Sequence, residues 1–442
     1  MYPIINDVFK YEKLQPLYSE FIAEINGLKY PVKVNKTASE IFNLCNGINS
    51  VENIIQILSK KYEEPYDVVK GMVEEFIDNA NAMQHILMQE KKKEEVNNRI
   101  IKVGGRDYWT PEMVAIELTH KCPLKCKHCY IDAGNGESIE TEKIMNIIGQ
   151  CKAMGIDNIQ LTGGEPLVHP DFFDILDVGL DNGITMHIST SGYIINEHIK
   201  EKFRKYKNNS KIVIQISIDG KRETHEKFRG VEGCYDRTME FIHMVLELGI
   251  KLAVGTCISD QPYEELKQLS IMLRDMGISM HRYSPISNRG RAEDNLQCNT
   301  AADIKQIKGY IKMLDKELSN DKFRVFYFEE GETGMDLRYK HNCGLGQTIV
   351  KIDPYGIMYP CLMSDMKYAD LNEVTLLQAQ KNYSRIWENL YSPSQNLCGN
   401  CVDSELCNHC VIEAMKFCKI GKGKFAELHE SLCKELGKEE IC

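Results

Sequence analysis

The sequence predicts an α/β fold: a partial (β/α)6 barrel between an N-terminal winged-helix-like domain and a cysteine-rich C-terminal domain. Three observations lead there. Six short apolar runs alternate with helix-length amphipathic stretches between about 112 and 290, the pattern of a parallel sheet. A hairpin signal followed by three helical periods fills the first 90 or so residues. Cysteines and turn residues dominate from about 340 onward. The length of 442 residues allows two or three domains, and 43% hydrophobic residues is ordinary for a globular chain. A net charge of −10 argues against broad binding to nucleic acid or anionic membrane. No run reaches the roughly 20 apolar residues of a membrane span. The start, MYPIINDVFKYEK, lacks the basic-then-apolar order of a signal peptide, so a cytoplasmic location is expected.

Taken in order, residues 1–92 form the first expected domain. LYSEFIAEINGLKYPVKV alternates around Asn26-Gly27, a pair suited to positive φ at both turn positions. Thr37 precedes TASEIFNLC with Glu40 three residues on, a capping-box pattern. Ser50 opens a second helix and Pro65 a third. KKKEE at 91–95 reads as a solvated connector. The barrel is expected over 105–310, with strands MVAIEL, NIQLTG, TMHISTS, IVIQISID, KLAVGTCIS and MHRYSPI. Chemistry in such a barrel sits where strands end and loops begin. Residues 311–340 read as connector, and 341–442 as a domain whose core is organised by bound metal.

Seventeen cysteines in a reducing compartment point to metal or redox chemistry rather than disulfides. ELTHKCPLKCKHCY follows directly on the first barrel strand. Cys122, Cys126 and Cys129 can ligate three irons of a four-iron cluster and leave the fourth open to an exogenous ligand. The competing reading is a zinc site, which needs a fourth ligand such as His128.

CX3CX2C with an aromatic beside the last cysteine, placed after the first strand of a β/α repeat, resembles the radical S-adenosylmethionine superfamily over residues 112–295. Gly163, Gly164, Glu165 and Pro166 match that family's GGEP motif, which the resemblance assigns to the methionine amino group. Two glycines permit close backbone approach, and a carboxylate suits an ammonium. The resemblance further implies ribose contact at Thr190-Ser191-Gly192, and methionine-carboxylate contact from Ser217 and Arg229. Asp219 ends the fourth strand beside them, and Tyr130 is implied near the adenine. The implied reaction is reductive cleavage of S-adenosylmethionine followed by hydrogen abstraction from substrate. An electron donor such as flavodoxin or ferredoxin is implied as well.

Cys343, Gly356 and Cys361 are followed by CGNCVDSELCNHC at 398–410, then by Cys418 and Cys433. CX12GX4C, CX2CX5CX2C and a late cysteine resemble the SPASM extension of peptide-modifying radical enzymes. By that pattern Cys343, Cys361 and Cys410 serve one auxiliary cluster, and Cys398, Cys401, Cys407 and Cys433 a second. The expected complement is three [4Fe-4S] clusters. GLGQTI after Cys343 lacks the further cysteine of the full pattern. The first auxiliary cluster therefore keeps an open iron or recruits Cys418 or Cys442. A zinc ribbon is the competing reading. Cys45, Cys151, Cys234, Cys257 and Cys298 read as core or incidental thiols.

Acidic residues outnumber basic ones over 1–90, which opposes DNA binding. KTASEIFNLCNGINSVENIIQILSKKY resembles the PqqD-like element that binds leader peptides of ribosomally made, modified peptides by adding a strand to its hairpin. The whole resembles maturases that form thioether links from cysteine sulfur to carbon, as for sactipeptides, with a precursor peptide as partner. Alternatives are another radical peptide modification, such as a carbon–carbon link, and a non-catalytic zinc-binding regulator. A sulfatase-maturing role is disfavoured, because that group carries an aspartate where Leu362 stands.

Overall fold

A computed structural model describes residues 1–25, 28–95, 100–287, 289–295, 301–328, 344–389, 410 and 412. The chain divides into two compact units, Met1–Thr110 and Pro111–Cys442.

The first unit holds β1 Tyr2–Ile5, β2 Phe9–Leu14, β3 Tyr18–Ile25, β4 Leu28–Asn35, α1 Lys36–Leu44, α2 Val51–Tyr62, α3 Tyr66–Ala82, β5 Ile86–Gln89 and β6 Ile101–Gly104. The expected hairpin is β3–β4, with Ile25 opposite Leu28 and therefore two residues between the strands. It belongs to a four-stranded sheet of order β4-β3-β2-β6, while β1 and β5 form a separate pair. The unit thus carries more strand than a hairpin and three helices. Its β6, which lies beyond the expected boundary at 92, pairs with β2. One core joins sheet and helices. Phe9, Phe21, Ile41, Phe42, Ile54, Leu58, Val73 and Ile77 are all buried in it. Each such side chain contributes about 1.5–3 kcal/mol of burial. α1 starts earlier than the Thr37 pattern suggests. Asn35 ends β4 in extended backbone, and its side chain accepts from the Ala38 N–H, so Asn35 is the cap. Ser50 caps α2 as expected.

The second unit is built on one long sheet. Its elements are β7 Met113–Lys121, β8 Asn135–Ser138, α4 Thr141–Met154, β9 Asn158–Gly163, α5 Phe172–Asp181, β10 Thr185–Thr190, α6 Glu197–Arg204, β11 Ile212–Ser217, α7 Arg222–Arg229, α8 Cys234–Glu247, β12 Lys251–Ile258, α9 Tyr263–Asp275, β13 Met280–Pro285, α10 Arg291–Asn295, α11 Ala301–Leu318, β14 Arg324–Tyr327, β15 Ile349–Ile352, β16 Ile357–Tyr359, β17 Ala369–Asp370 and α12 Leu376–Tyr383. β7, β9, β10, β11, β12, β13 and β14 run parallel in chain order. Right-handed crossovers in that order place the helices on one face. Alternation follows. Ile212, Ile214 and Ile216 are fully buried, whereas Val213, Gln215 and Ser217 between them keep partial exposure. Gln160, His187 and Ser189 occupy the same second face.

The six expected strands are all present. Among the described residues, five more strands of this unit, β8 and β14–β17, lie outside that expectation. β14 extends the sheet past β13, inside the stretch read as helix and connector. β15 adds parallel to the other side of β7, with Lys351 opposite Ala115, and β16 and β17 continue from it.

Candidate active site

The loop after β7 carries Cys122, Cys126 and Cys129 and is held from three sides. Lys125 N–H donates to the Arg229 carbonyl at 3.0 Å, and Lys127 N–H to the Phe228 carbonyl at 3.1 Å, which ties the loop to the end of α7. Cys122 N–H donates to the Gly134 carbonyl at 2.9 Å. Arg291 donates from its backbone to the Cys129 carbonyl at 3.0 Å. Its Nε donates to the Cys126 carbonyl at 2.8 Å and its Nη1 to the Ala133 carbonyl at 2.6 Å. No sequence pattern had singled out Arg291, because its partners come from a loop some 160 residues earlier.

Cys122, Cys126 and Cys129 pack in one cluster with Leu124, Cys234, Tyr193 and Val231. Burial pushes the Cys122 thiol up to about 12. It raises Cys126 too, against the opposing charge of Arg229. Thiols in this state release protons when a metal loads. Among the described residues, no three His, Cys, Asp or Glu side chains close on a single-ion site. A cluster offers three separate irons, so its thiolates need not share one point. The His128 ring stacks on Phe228 at 4.1 Å and 8°. Burial, seconded by Arg229, lowers its pKa to about 3 and keeps the ring neutral.

The GGEP turn ends β9 against the last residues of β7. Gly163 has φ +124°, and a Cβ there would lie 2.3 Å from the Thr119 carbonyl oxygen. A Cβ on Gly164 would lie 2.4 Å from that of Lys121. Backbone bonds close the gap: Gly164 N–H to Thr119 O at 2.7 Å and Glu165 N–H to Lys121 O at 3.0 Å. Only glycine fits this cradle beside Cys122.

Glu165 is fully buried. Its Oε1 accepts from Thr190 Oγ1 at 2.6 Å and Leu167 N–H at 3.3 Å. Its Oε2 accepts from Ser191 N–H at 2.9 Å and Ser191 Oγ at 2.5 Å. Burial raises its pKa, and these donors work against the rise. All four acceptor directions are filled. An ammonium would have to share them, for example with the Ser191 hydroxyl turned aside. In this arrangement the carboxylate locks the end of β10 to the end of β9.

Asp219 and Arg229 meet as a buried pair, Nε to Oδ2 at 2.6 Å. Cys257 N–H donates to Asp219 Oδ1 at 3.2 Å, and Asp219 N–H to His225 Nδ1 at 3.3 Å. Burial raises the Asp219 pKa, but Arg229 and His225 hold it well below the usual carboxylate range. Arg229 Nη1 points to Cys126 Sγ at 3.7 Å. Its partners are thus Asp219 and Cys126. Ser217, expected beside it, ends β11 opposite Gly255.

Tyr130 lies beside Glu117, and burial followed by the charge of that carboxylate raises its pKa. With Glu117, Lys351, Asp353, Tyr359 and Leu362 it lines a cavity of about 290 Å³. Glu117 and Lys351 were not foreseen; both face this space from neighbouring strands. Cys361 is separated from the end of β16 by Pro360, and the turn between β15 and β16 is closed by Gly356 N–H to Asp353 O at 3.0 Å. Cys361 and Cys410 are each partly buried. Cys343, Cys398, Cys401, Cys407 and Cys433 lie outside the described residues, as do Cys298, Cys418 and Cys442. Cys45, Cys151 and Cys234 are buried core thiols, and Cys257 is partly buried.

The cysteine loop and the glycine cradle suit a cluster-bound methionine derivative in donor chemistry: thiolates for iron, and close backbone for a small polar ligand. The radical SAM superfamily profile matches residues 116–271, and the profile of coenzyme PQQ synthesis protein D (PqqD) matches 27–86. The antilisterial bacteriocin subtilosin biosynthesis protein AlbA of Bacillus subtilis is 24% identical over 84% of this chain and 82% of its own length. The AdoMet-dependent heme synthase of Methanosarcina barkeri is 24% identical over 68% of this chain and 91% of its own. The crystal structure of Streptococcus suis SuiB bound to precursor peptide SuiA has the same fold, with a TM-score of 0.64 and 16% identity over 94% of this chain and 97% of that one.

Proposed function

We propose that this chain, a radical SAM superfamily member with a PqqD-like domain, is a maturase that forms cysteine sulfur-to-carbon thioether links in a ribosomally made precursor peptide. The observation that carries the reading is the co-occurrence of both modules in one chain, with a match to a bacteriocin biosynthesis protein over 84% of its length. The heme synthase match covers less of the chain, 68%.

Cys122, Cys126 and Cys129 would hold the cluster, and Gly163, Gly164, Ser191 and Ser217 would border the cofactor. When bound there, S-adenosylmethionine supplies hydrogen-atom abstraction from the substrate. The chain's own residues do the rest. Arg291 and the end of α7 keep the three thiols together. Glu165 fixes the strand ends that frame the ligand. The exposed edge of β4 would take the leader as an added strand. Cys361 and Cys410, with Cys343, would hold a first auxiliary cluster, and Cys398, Cys401, Cys407 and Cys433 a second. A flavodoxin or ferredoxin would supply the electron.

The test uses anaerobically reconstituted enzyme, a reductant, S-adenosylmethionine and a cysteine-containing precursor encoded beside the gene. The peptide should lose two hydrogens per link, and fragmentation should place each link at a cysteine. Cys126→Ala should abolish 5′-deoxyadenosine production. A carbon–carbon link would transfer the reading to another radical modification. Zinc without acid-labile sulfide would replace it with a binding protein.

A further inference from the structure

Arg229 is only 7% exposed, and its charge is fixed in place from two directions. Its side chain is held by Asp219, through Nε to Oδ2 at 2.6 Å. Asp219 is itself anchored: its carbonyl accepts from Gln261 Nε2 at 2.9 Å, and its Oδ1 accepts from Cys257 N–H at 3.2 Å. The Arg229 main chain is held by the cysteine loop, through Lys125 N–H to Arg229 O at 3.0 Å. Gly230 makes that approach feasible. Its φ is +72°, and a Cβ there would lie 2.6 Å from the Lys125 carbonyl oxygen. What remains of the guanidinium reaches Cys126 Sγ, 3.7 Å from Nη1. Asp219 also acts on Cys126, more weakly than Arg229 does.

We propose that Arg229, held by Asp219, is a positioning residue for the Cys126 ligand whose hydrogen bond and fixed charge raise the reduction potential of the cluster at Cys122, Cys126 and Cys129. This rests on the radical SAM reading above. It replaces the methionine-carboxylate contact that the sequence implied for Arg229. The physics is direct. Reduction adds negative charge that is shared with the thiolate sulfurs. A cation within hydrogen-bond reach of one sulfur stabilises the reduced form more than the oxidised form. Burial keeps water from screening the effect. Lysine keeps the charge, but one ammonium cannot serve Asp219 and Cys126 in the same planar geometry.

The experiment is an EPR-monitored redox titration of the full chain, reconstituted with iron and sulfide, without S-adenosylmethionine. The relevant signal is the one missing from Cys126→Ala. Arg229→Gln should shift its midpoint to more negative potential, with Arg229→Lys in between. Equal midpoints in all three proteins would overturn the proposal, the more so if both variants weaken S-adenosylmethionine binding. Should Arg229→Gln fail to take up iron, Arg229→Lys decides alone: a shifted midpoint supports the assignment and a wild-type midpoint ends it. A wild-type chain that forms no cluster would instead remove the radical SAM reading, a failure visible before any variant is made.

Discussion

Gly163 has almost no room for change. Its left-handed φ and the Thr119 carbonyl in the path of any Cβ act together, so two independent costs meet at one atom. Gly163→Ala should lower stability by about 1–3 kcal/mol and displace the end of β9 from Cys122. Thermal unfolding of the apoprotein and 5′-deoxyadenosine yield of the loaded enzyme check this; a wild-type melt would mean that the turn relaxes freely. Glu165 shows the complementary case. Its identity was legible in the GGEP motif, but its four donors were not, since two residues 25 and 26 positions away supply three of them. Arg229 is similar. The motif context suggested a free cation, whereas packing placed an aspartate ten residues earlier in its way.

At the scale of elements, β4 is the edge of the first unit's sheet, and one residue tells which of its amides face outward. Pro31 lies opposite Ile22 and has no N–H to donate. In an antiparallel ladder such a pair is the kind that exchanges no bonds, and the type alternates along the strand. Glu20–Lys33 is therefore the same kind, and the Lys33 N–H points to the open edge. Lys33→Pro should leave the β3–β4 ladder intact and remove one donor from an incoming strand. The expected loss of leader affinity is about 1 kcal/mol, or about fivefold, by calorimetric titration of a synthetic leader peptide. A leader that binds Lys33→Pro as tightly as wild type does not add to this edge. The sheet of the second unit carries a different lesson. Its six central strands were visible as apolar runs because each buries one face on helices. β14 and β15 are four residues each and carry too little pattern to stand out.

On the scale of the whole molecule, each unit has its own interior. The first unit's core draws on strands β1–β3 and β5 and on all three helices, from residues 5 to 86. Beside it, Glu12 is fully buried and accepts from Ser19 at 2.8 Å, Ser39 at 2.6 Å and Asn43 at 3.0 Å, with Lys102 at 3.2 Å. Burial raises its pKa, but these donors outweigh it and the net shift is downward. A carboxyl depressed in the folded state binds fewer protons than in the unfolded chain, so its stabilisation holds above the ordinary carboxylate pKa. It is lost as pH falls through the folded value. Residues 1–110 expressed alone should unfold in one cooperative transition. Its midpoint should fall as pH drops from about 6 to about 3, with a shallower dependence in Glu12→Gln. An equal slope in that variant would show that other carboxylates dominate.

The sequence by itself determined the chemistry and the repeating frame. Cysteine spacing, the GGEP turn and period-two apolar runs are local patterns, each decided by neighbours a few residues away. Tertiary structure alone decided which partner each polar group found. The Asp219–Arg229–Cys126 chain, the Arg291 clamp and the pairing of β15 with β7 join segments that are brought together only when the strands align. A buried charge or an open strand edge takes the partner that the packed sheet delivers, and composition along the chain holds no record of that delivery.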